Sequence, residues 1–202
     1  MANFTEYTRF AASYCPNLPT IVFSRAMLSV SRDYFTKTQA WQEALTVDLV
    51  ANEKTYDMPA PFEFAIIDTV ISASIGNEYL ANAEFAIKSD ATGKPTHFAL
   101  PSKASLLVYP TPKEAYTLDV LVSLKPSIDT NEIPELLFDE HFEPLIAGCI
   151  ANIKRMPNTD WYDPQAAMQF EQDYNRMVDE KRIQLAMGSN NTELTLQYPT
   201  FM

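Results

Sequence analysis

The chain has 202 residues, 47% of them hydrophobic, with 15 basic against 26 acidic side chains and a formal net charge of -11. A globule of this length buries roughly 70% of the surface of its unfolded chain, so a real core is available and wholesale disorder is excluded. The acidic balance argues against non-specific attraction to nucleic acid or anionic lipid, which rests on clustered Lys and Arg.

No run of about 18 apolar residues is present to span a bilayer, and MANFTEYTRF lacks the basic-then-apolar order of a signal peptide. These features predict a soluble protein made in the cytoplasm, without a membrane partner. Cys15 and Cys149 stand in neither a CxxC nor a zinc spacing, and in such a chain both are expected to be free thiols.

Tyr7, Phe10, Ala11 and Tyr14 recur at helical spacing and predict one or two turns before Cys15-Pro16. After Pro19, the spacing of Phe23, Ala26, Met27, Val30 and Tyr34 predicts a helix with Thr20 as its N-cap. From Trp41 the period drops to two. Leu45, Val47 and Leu49 alternate with Thr46 and Asp48, and Tyr56 and Met58 follow a polar turn, which predicts a hairpin. FAIIDTVISASI, from residue 64 to 75, is a β-branched strand ending at Gly76-Asn77, with Glu78 to Leu80 as a short return. AEFAIK, at 83 to 88, fits a helical turn before a loop around Gly93. THFAL, SLLVYP and YTLDVLVSLKP supply three more strands, punctuated by Pro101, Pro110, Pro112 and Pro126.

Pro134 to Asp139 predicts a short turn of helix. In the next segment Leu145, Ile146, Cys149, Ile150 and Ile153 form an apolar stripe, with Asn152, Lys154 and Arg155 off it. Pro144 cannot donate to residue 140, so this helix begins near His141 or Phe142 or is kinked there. Asp163 before Pro164 is a helix start, and the helix runs to Met187, roughly 36 Å at 1.5 Å per residue. Its apolar face is Ala167, Phe170, Tyr174, Met177, Val178 and Leu185; Lys181 falls on that face, its stem expected along the core edge with the ammonium in water. Gly188 is the expected stop. Beyond it, Leu194, Leu196 and Tyr198 alternate like a strand without a neighbouring hairpin partner, leaving two readings open, an interaction segment and a disordered end.

The element order predicts an α+β fold: a bundle of N- and C-terminal helices, residues 1–40 and 134–188, with an inserted antiparallel β-meander lobe at 41–133 and an extension at 189–202. Glycines at 76, 93, 148 and 188 are too dispersed for a phosphate cradle or a nucleophile elbow. His97 and His141 show no metalloprotease or di-iron spacing and are expected to be surface or packing residues. Trp41, Trp161 and Tyr162 could line a binding site, although aromatics at element boundaries more often close a core. Asp139, Glu140 and Glu143 could supply paired carboxylates for glycoside hydrolysis or, more plainly, a solvated helix start whose charge suits the helix dipole. No catalytic, metal or cofactor residue is assigned.

Five stretches in register, YFTKTQAW at 34–41, TYDMPAP at 55–61, GKPTHFAL at 93–100, LLVYPTPKEAYTLDVLVSLKPS at 106–127 and MPNTDWYDP at 156–164, resemble the head-to-tail adaptor (connector) proteins of short-tailed and related tailed phages, the tail tubular protein A type. The likeness spans about Ser13 to Met187. It implies a non-enzymatic virion protein of the neck, present in the host cytoplasm during assembly, that forms a twelve-subunit ring under the portal protein. Helices would face the ring and a β-lobe the tail nozzle or tail tube, with DNA passing through the lumen without tight binding. On this view Leu194, Leu196, Tyr198 and Phe201 are the candidate portal-binding residues. The alternative is a virion-associated cell-wall hydrolase using Asp139, Glu140 and Glu143.

Overall fold

The computed structural model describes residues 1–83 and 91–188. Strand β1 (Ala2–Asn3) leads into a 3-10 turn over Phe4–Tyr7 and a single α-turn, α1 (Thr8–Ala11). Asn3 caps the first turn by accepting from the Thr5 amide at 3.0 Å. Helix α2 (Thr20–Thr38) buries Phe23, Ala26, Met27, Val30 and Tyr34 as the spacing requires. Thr20 is not its cap. Pro19, held extended at φ -63° and ψ 132°, already turns the chain into the helix, so Thr20 becomes the first helical residue and its carbonyl accepts from the Ser24 hydroxyl. Gln39 closes the helix in the left-handed region at φ 55°.

The β-region comprises β2 (Gln42–Leu49), β3 (Thr55–Asp57), β4 (Ala65–Ile75), β5 (Glu78–Tyr79), β6 (Ala81–Asn82), β7 (Thr92–Gly93), β8 (His97–Ser102), β9 (Ser105–Tyr109), β10 (Thr111–Pro112), β11 (Tyr116–Pro126) and β12 (Glu132–Ile133). The fold is mixed α+β with largely antiparallel sheets, but its connectivity is not that of a meander. Two four-stranded sheets form, ordered β2-β11-β4-β5 and β3-β9-β8-β6. The expected hairpin between β2 and β3 does not exist: β2 pairs with β11 and β3 with β9. Their connection instead crosses between sheets, pinned by the Tyr56 hydroxyl, which donates to the Val50 and Glu53 carbonyls at 3.0 and 2.8 Å and accepts from the Val50 amide. β11 holds the central place between β2 and β4; Thr117 and Asp119 at its start are exposed, while Val122, Ser123 and Leu124 in its second half are buried in succession, on both of its faces. Pro101 lies within β8, and the register with β9 breaks there, between Ala99 and Ser102, since proline has no amide to donate. The AEFAIK expectation falls almost wholly outside the described residues.

Three helices complete the described chain, α3 (Glu135–Glu140), α4 (Phe142–Lys154) and α5 (Pro164–Met187). Pro144 sits in the first turn of α4, where an amide has no helical acceptor in any case. α4 lies against both α2 and α5 and is buried almost all round, Lys154 included. That corrects the solvent-facing position expected for Lys154, whose Nζ lies 3.9 Å from the Asp163 carboxylate. Gly148 permits the close approach: a Cβ there would meet Val30 Cγ1 at 2.7 Å and the Tyr174 ring at 3.0 Å. Asp163 caps α5 as expected, accepting from the Ala166 amide at 3.0 Å. One continuous apolar core runs from Phe23, Met27 and Ile150 in the helices to Leu106 and Leu118 in the two sheets.

Candidate interaction surfaces

The first surface is the free end of α5. Its buried residues are Ala167, Tyr174 and Val178; past Val178 nothing is buried, and Ile183, Leu185 and Met187 are 57%, 37% and 68% exposed. The helix therefore outruns the core it packs on, which corrects the expected packing of Leu185. Leu185 and Ala186 line a groove of about 730 Å³ with Ile71 of β4, Gln42 of β2 and the end of α2. Lys37 and Arg182 stand at its rim, each paired with a carboxylate, Asp33 at 2.6 Å and Asp179 at 3.6 Å.

The second surface is the edge of the first sheet. Among the described residues β2 is paired on one side only. Along it runs another groove, of about 440 Å³, between Leu45–Asp48 and the segment Tyr56–Pro61. β2 carries no Pro or Lys, the residues that commonly blunt an edge, only Glu43 and Asp48.

A third surface is aromatic. Phe10 and Tyr14, both exposed, meet the half-buried Phe142 and Phe170 edge-on at 4.9 and 5.1 Å, and Arg9 lies over Phe10 at 5.0 Å. It collects residues of α1, α4 and α5, which no single stretch of sequence would reveal.

The remaining candidates resolve as structural. Trp41 is 1% exposed and packs with Phe35, Phe62 and Phe64; Trp161 is half-buried and donates from Nε1 to the Pro16 carbonyl at 2.7 Å, while Tyr162 is exposed. Cys15 and Cys149 are buried free thiols, and burial pushes both above the ordinary thiol value. His97 is half-buried, its Nδ1 2.9 Å from the Thr96 hydroxyl. His141 is a packing residue, 2% exposed, with Nδ1 3.1 Å from the Tyr34 hydroxyl; burial chiefly depresses it to about 4, so it is neutral near pH 7.

Asp139, Glu140 and Glu143 are exposed and form no catalytic pair. Glu140 accepts from Lys181 Nζ at 2.7 Å, which, against some opposing burial, holds its carboxyl below the ordinary range. A general acid needs the opposite shift. The same bond corrects the expectation for Lys181, whose ammonium meets Glu140 rather than water alone, its side chain only 17% exposed. A separate network ties sheet to sheet: Asp68 of β4 accepts from Lys125 of β11 at 2.7 Å and from Lys103, between β8 and β9 of the other sheet, at 2.6 Å. The proposed partner-binding residues Leu194, Leu196, Tyr198 and Phe201 lie outside the described residues. Among the described residues no metal-holding cluster occurs and no helix is long and apolar enough to cross a membrane.

A family model described as the SU10 adaptor protein matches residues 9–195. The chain belongs to the SU10 adaptor protein family. The match spans all the helices from α2 onward and both four-stranded sheets, so it covers the fold and not a fragment of it. As a phage adaptor the protein is a virion component that assembles with head and tail parts, in a family of structural adaptors. No curated protein matches the chain. Nothing in the comparison supports a hydrolase.

Proposed function

We propose that this adaptor forms a ring under the portal protein, joins it to the tail nozzle or tube, and leaves a lumen through which DNA passes. The observation that carries the proposal is the family match over residues 9–195. Segments 1–40 and 134–188 act as one helical body that builds the ring, a division supported by the mutual packing of α2, α4 and α5. Residues 41–133 form the lobe directed toward the tail. The exposed aromatic surface of α1 and the overhanging end of α5 supply apolar area that a lone subunit leaves wet, as assembly surfaces do. With a net charge of -11 the ring wall has little affinity for a duplex carrying one negative charge per about 1.7 Å, so DNA slides without being gripped. In this scheme Leu194, Leu196, Tyr198 and Phe201 engage the portal, by strand addition or by filling an apolar groove.

Native mass spectrometry of the full chain, alone and mixed with the portal ring of the same phage, tests the proposal. The expected result is a portal ring gaining a full set of subunits, twelve on the ring size that the resemblance implies. A portal ring that gains none, beside a monomer at every concentration, would overturn it.

A further inference from the structure

Around α1 four rings close on one another. Tyr7 lies 4.0 Å from Phe138 and 6.0 Å from Phe10, and Phe142 lies 4.9 Å from Phe10 and 5.7 Å from Phe138. Phe138 is the buried floor of the group, while Phe10 is 39% exposed. Four residues further along, Tyr14, 47% exposed, carries the apolar strip onto Phe170 of α5 at 5.1 Å. The strip is held from below by the core, so its rings keep their places before anything binds.

The border of the strip is acidic. Glu6 stands beside Tyr7 in the 3-10 turn, Asp139 follows Phe138 and Glu143 follows Phe142, and all three are exposed. Burial, and after it the carboxylates of Asp139, Glu135 and Glu6, push the Tyr7 hydroxyl above its ordinary value against the opposing Arg9, so these acids are felt at the rings. Arg9, over the Phe10 ring at 5.0 Å, shows what the ring faces accept, a guanidinium. Glu6, Asp139 and Glu143 outnumber it, and the border stays negative.

We propose that this strip docks a segment of another protein in which arginine or lysine alternates with apolar residues. The apolar side chains lie on Phe10 and Tyr14, and the cations meet the ring faces and the carboxylates of Glu6, Asp139 and Glu143. Charge selects the occupant. A second copy of this chain brings a net charge of -11, with 15 basic against 26 acidic side chains. Among the described residues nine of those basic side chains, from Lys37 to Arg182, already face carboxylates of their own chain. Such a copy presents like charge to the strip, and nucleic acid and anionic lipid do the same. The assignment goes beyond the ring and portal reading and does not depend on it.

Fluorescence anisotropy of a short labelled peptide alternating arginine and leucine, titrated with the full chain at low salt and with no portal present, tests the site. Any protein of this charge attracts a cationic peptide, so two full-chain variants of equal charge decide: Glu6→Gln/Asp139→Asn/Glu143→Gln at the strip, and Asp48→Asn/Asp57→Asn/Asp119→Asn on β2, β3 and β11. All the positions changed are exposed, so the variants keep the core. The expected result is binding about tenfold weaker in the first, the sum of three exposed ion pairs, and within about twofold of the wild type in the second. A fall of equal size in both, or a wild type that does not bind, would overturn the proposal. Phe10→Ser/Tyr14→Ser is expected to weaken binding by about tenfold as well, and unchanged affinity there would overturn it by leaving the acids to act without the rings. Sedimentation of the wild type alone names the other occupant: self-association that Phe10→Ser/Tyr14→Ser abolishes would assign the strip to a second copy and overturn the proposal.

Discussion

Replacing Gly148 by alanine tests the tightest packing in the molecule. In isolation the change would favour α4, since alanine exceeds glycine by about 1 kcal/mol in a helix interior. Here the new methyl would sit 2.7 Å from Val30 Cγ1 and 3.0 and 3.2 Å from two carbons of the Tyr174 ring. Neither neighbour yields easily. Val30 is 4% exposed and, as a β-branched residue in a helix, has one strongly preferred χ1. The Tyr174 ring is held at its far end by its hydroxyl, which donates to Asp33 at 2.7 Å. Overpacking of this kind costs about 1–3 kcal/mol, so against the helix gain the net effect of Gly148→Ala is a loss of up to about 2 kcal/mol. For a chain of this length that lowers Tm by roughly 2–4 °C per kcal/mol, with a matching fall in the urea midpoint at constant slope. Adding Val30→Ala removes the atom at 2.7 Å, so the double variant should lose less than the two single losses sum to, a positive coupling readable by a double-mutant cycle. A Gly148→Ala protein more stable than the wild type, the outcome expected from helix propensity alone, would refute the argument that α2, α4 and α5 close around this glycine.

Three further outcomes follow from the polar groups. Asp68 is 9% exposed at its side chain; burial alone would raise its carboxyl, but hydrogen bonds from Lys103 and Lys125 prevail and hold it below 3.8. Its stabilisation is thus fully present above the unfolded value and lost as pH falls through the lower folded one, and Asp68→Asn, which leaves the largely buried Lys125 without its carboxylate, should cost about 1–3 kcal/mol at pH 7 by urea titration. His141 works in a different window. With 6.5 in the unfolded chain and about 4 in the fold, only the unfolded state takes up the proton between those values, so stability falls by up to about 3 kcal/mol as pH drops across them. His141→Gln should flatten that part of the pH–stability curve, and an unchanged slope would refute the buried neutral imidazole. Cys15 and Cys149, each 0% exposed, should react with a thiol reagent only on unfolding; labelling of the native protein at the rate of a free thiol would contradict their burial.

The local chemistry of the chain was enough to define its long elements, though not the two-residue strands β1, β6, β7, β10 and β12. The 3.6-residue spacing of Phe23, Met27, Val30 and Tyr34 placed α2, the Asp163-Pro164 pair placed the start of α5, and β-branched runs placed β4 and β11, because periodicity and caps depend on neighbours within a few residues. The resemblance of five short stretches also pointed to the adaptor family before any geometry was in hand. Strand partners were not legible: alternation at Leu45, Val47 and Leu49 says which side is buried, but only the central place of β11 between β2 and β4 decides that β2 meets β11 and not β3. Nor could the stripe of α4 reveal that Lys154 is buried, since that depends on a helix being packed from several directions at once. The candidate surfaces belong wholly to this second class. That Ile183, Leu185 and Met187 outrun the core, and that Ala186 ends beside Gln42, follows from the length of α5 set against the width of the body it packs on, a relation between distant parts that local sequence does not contain.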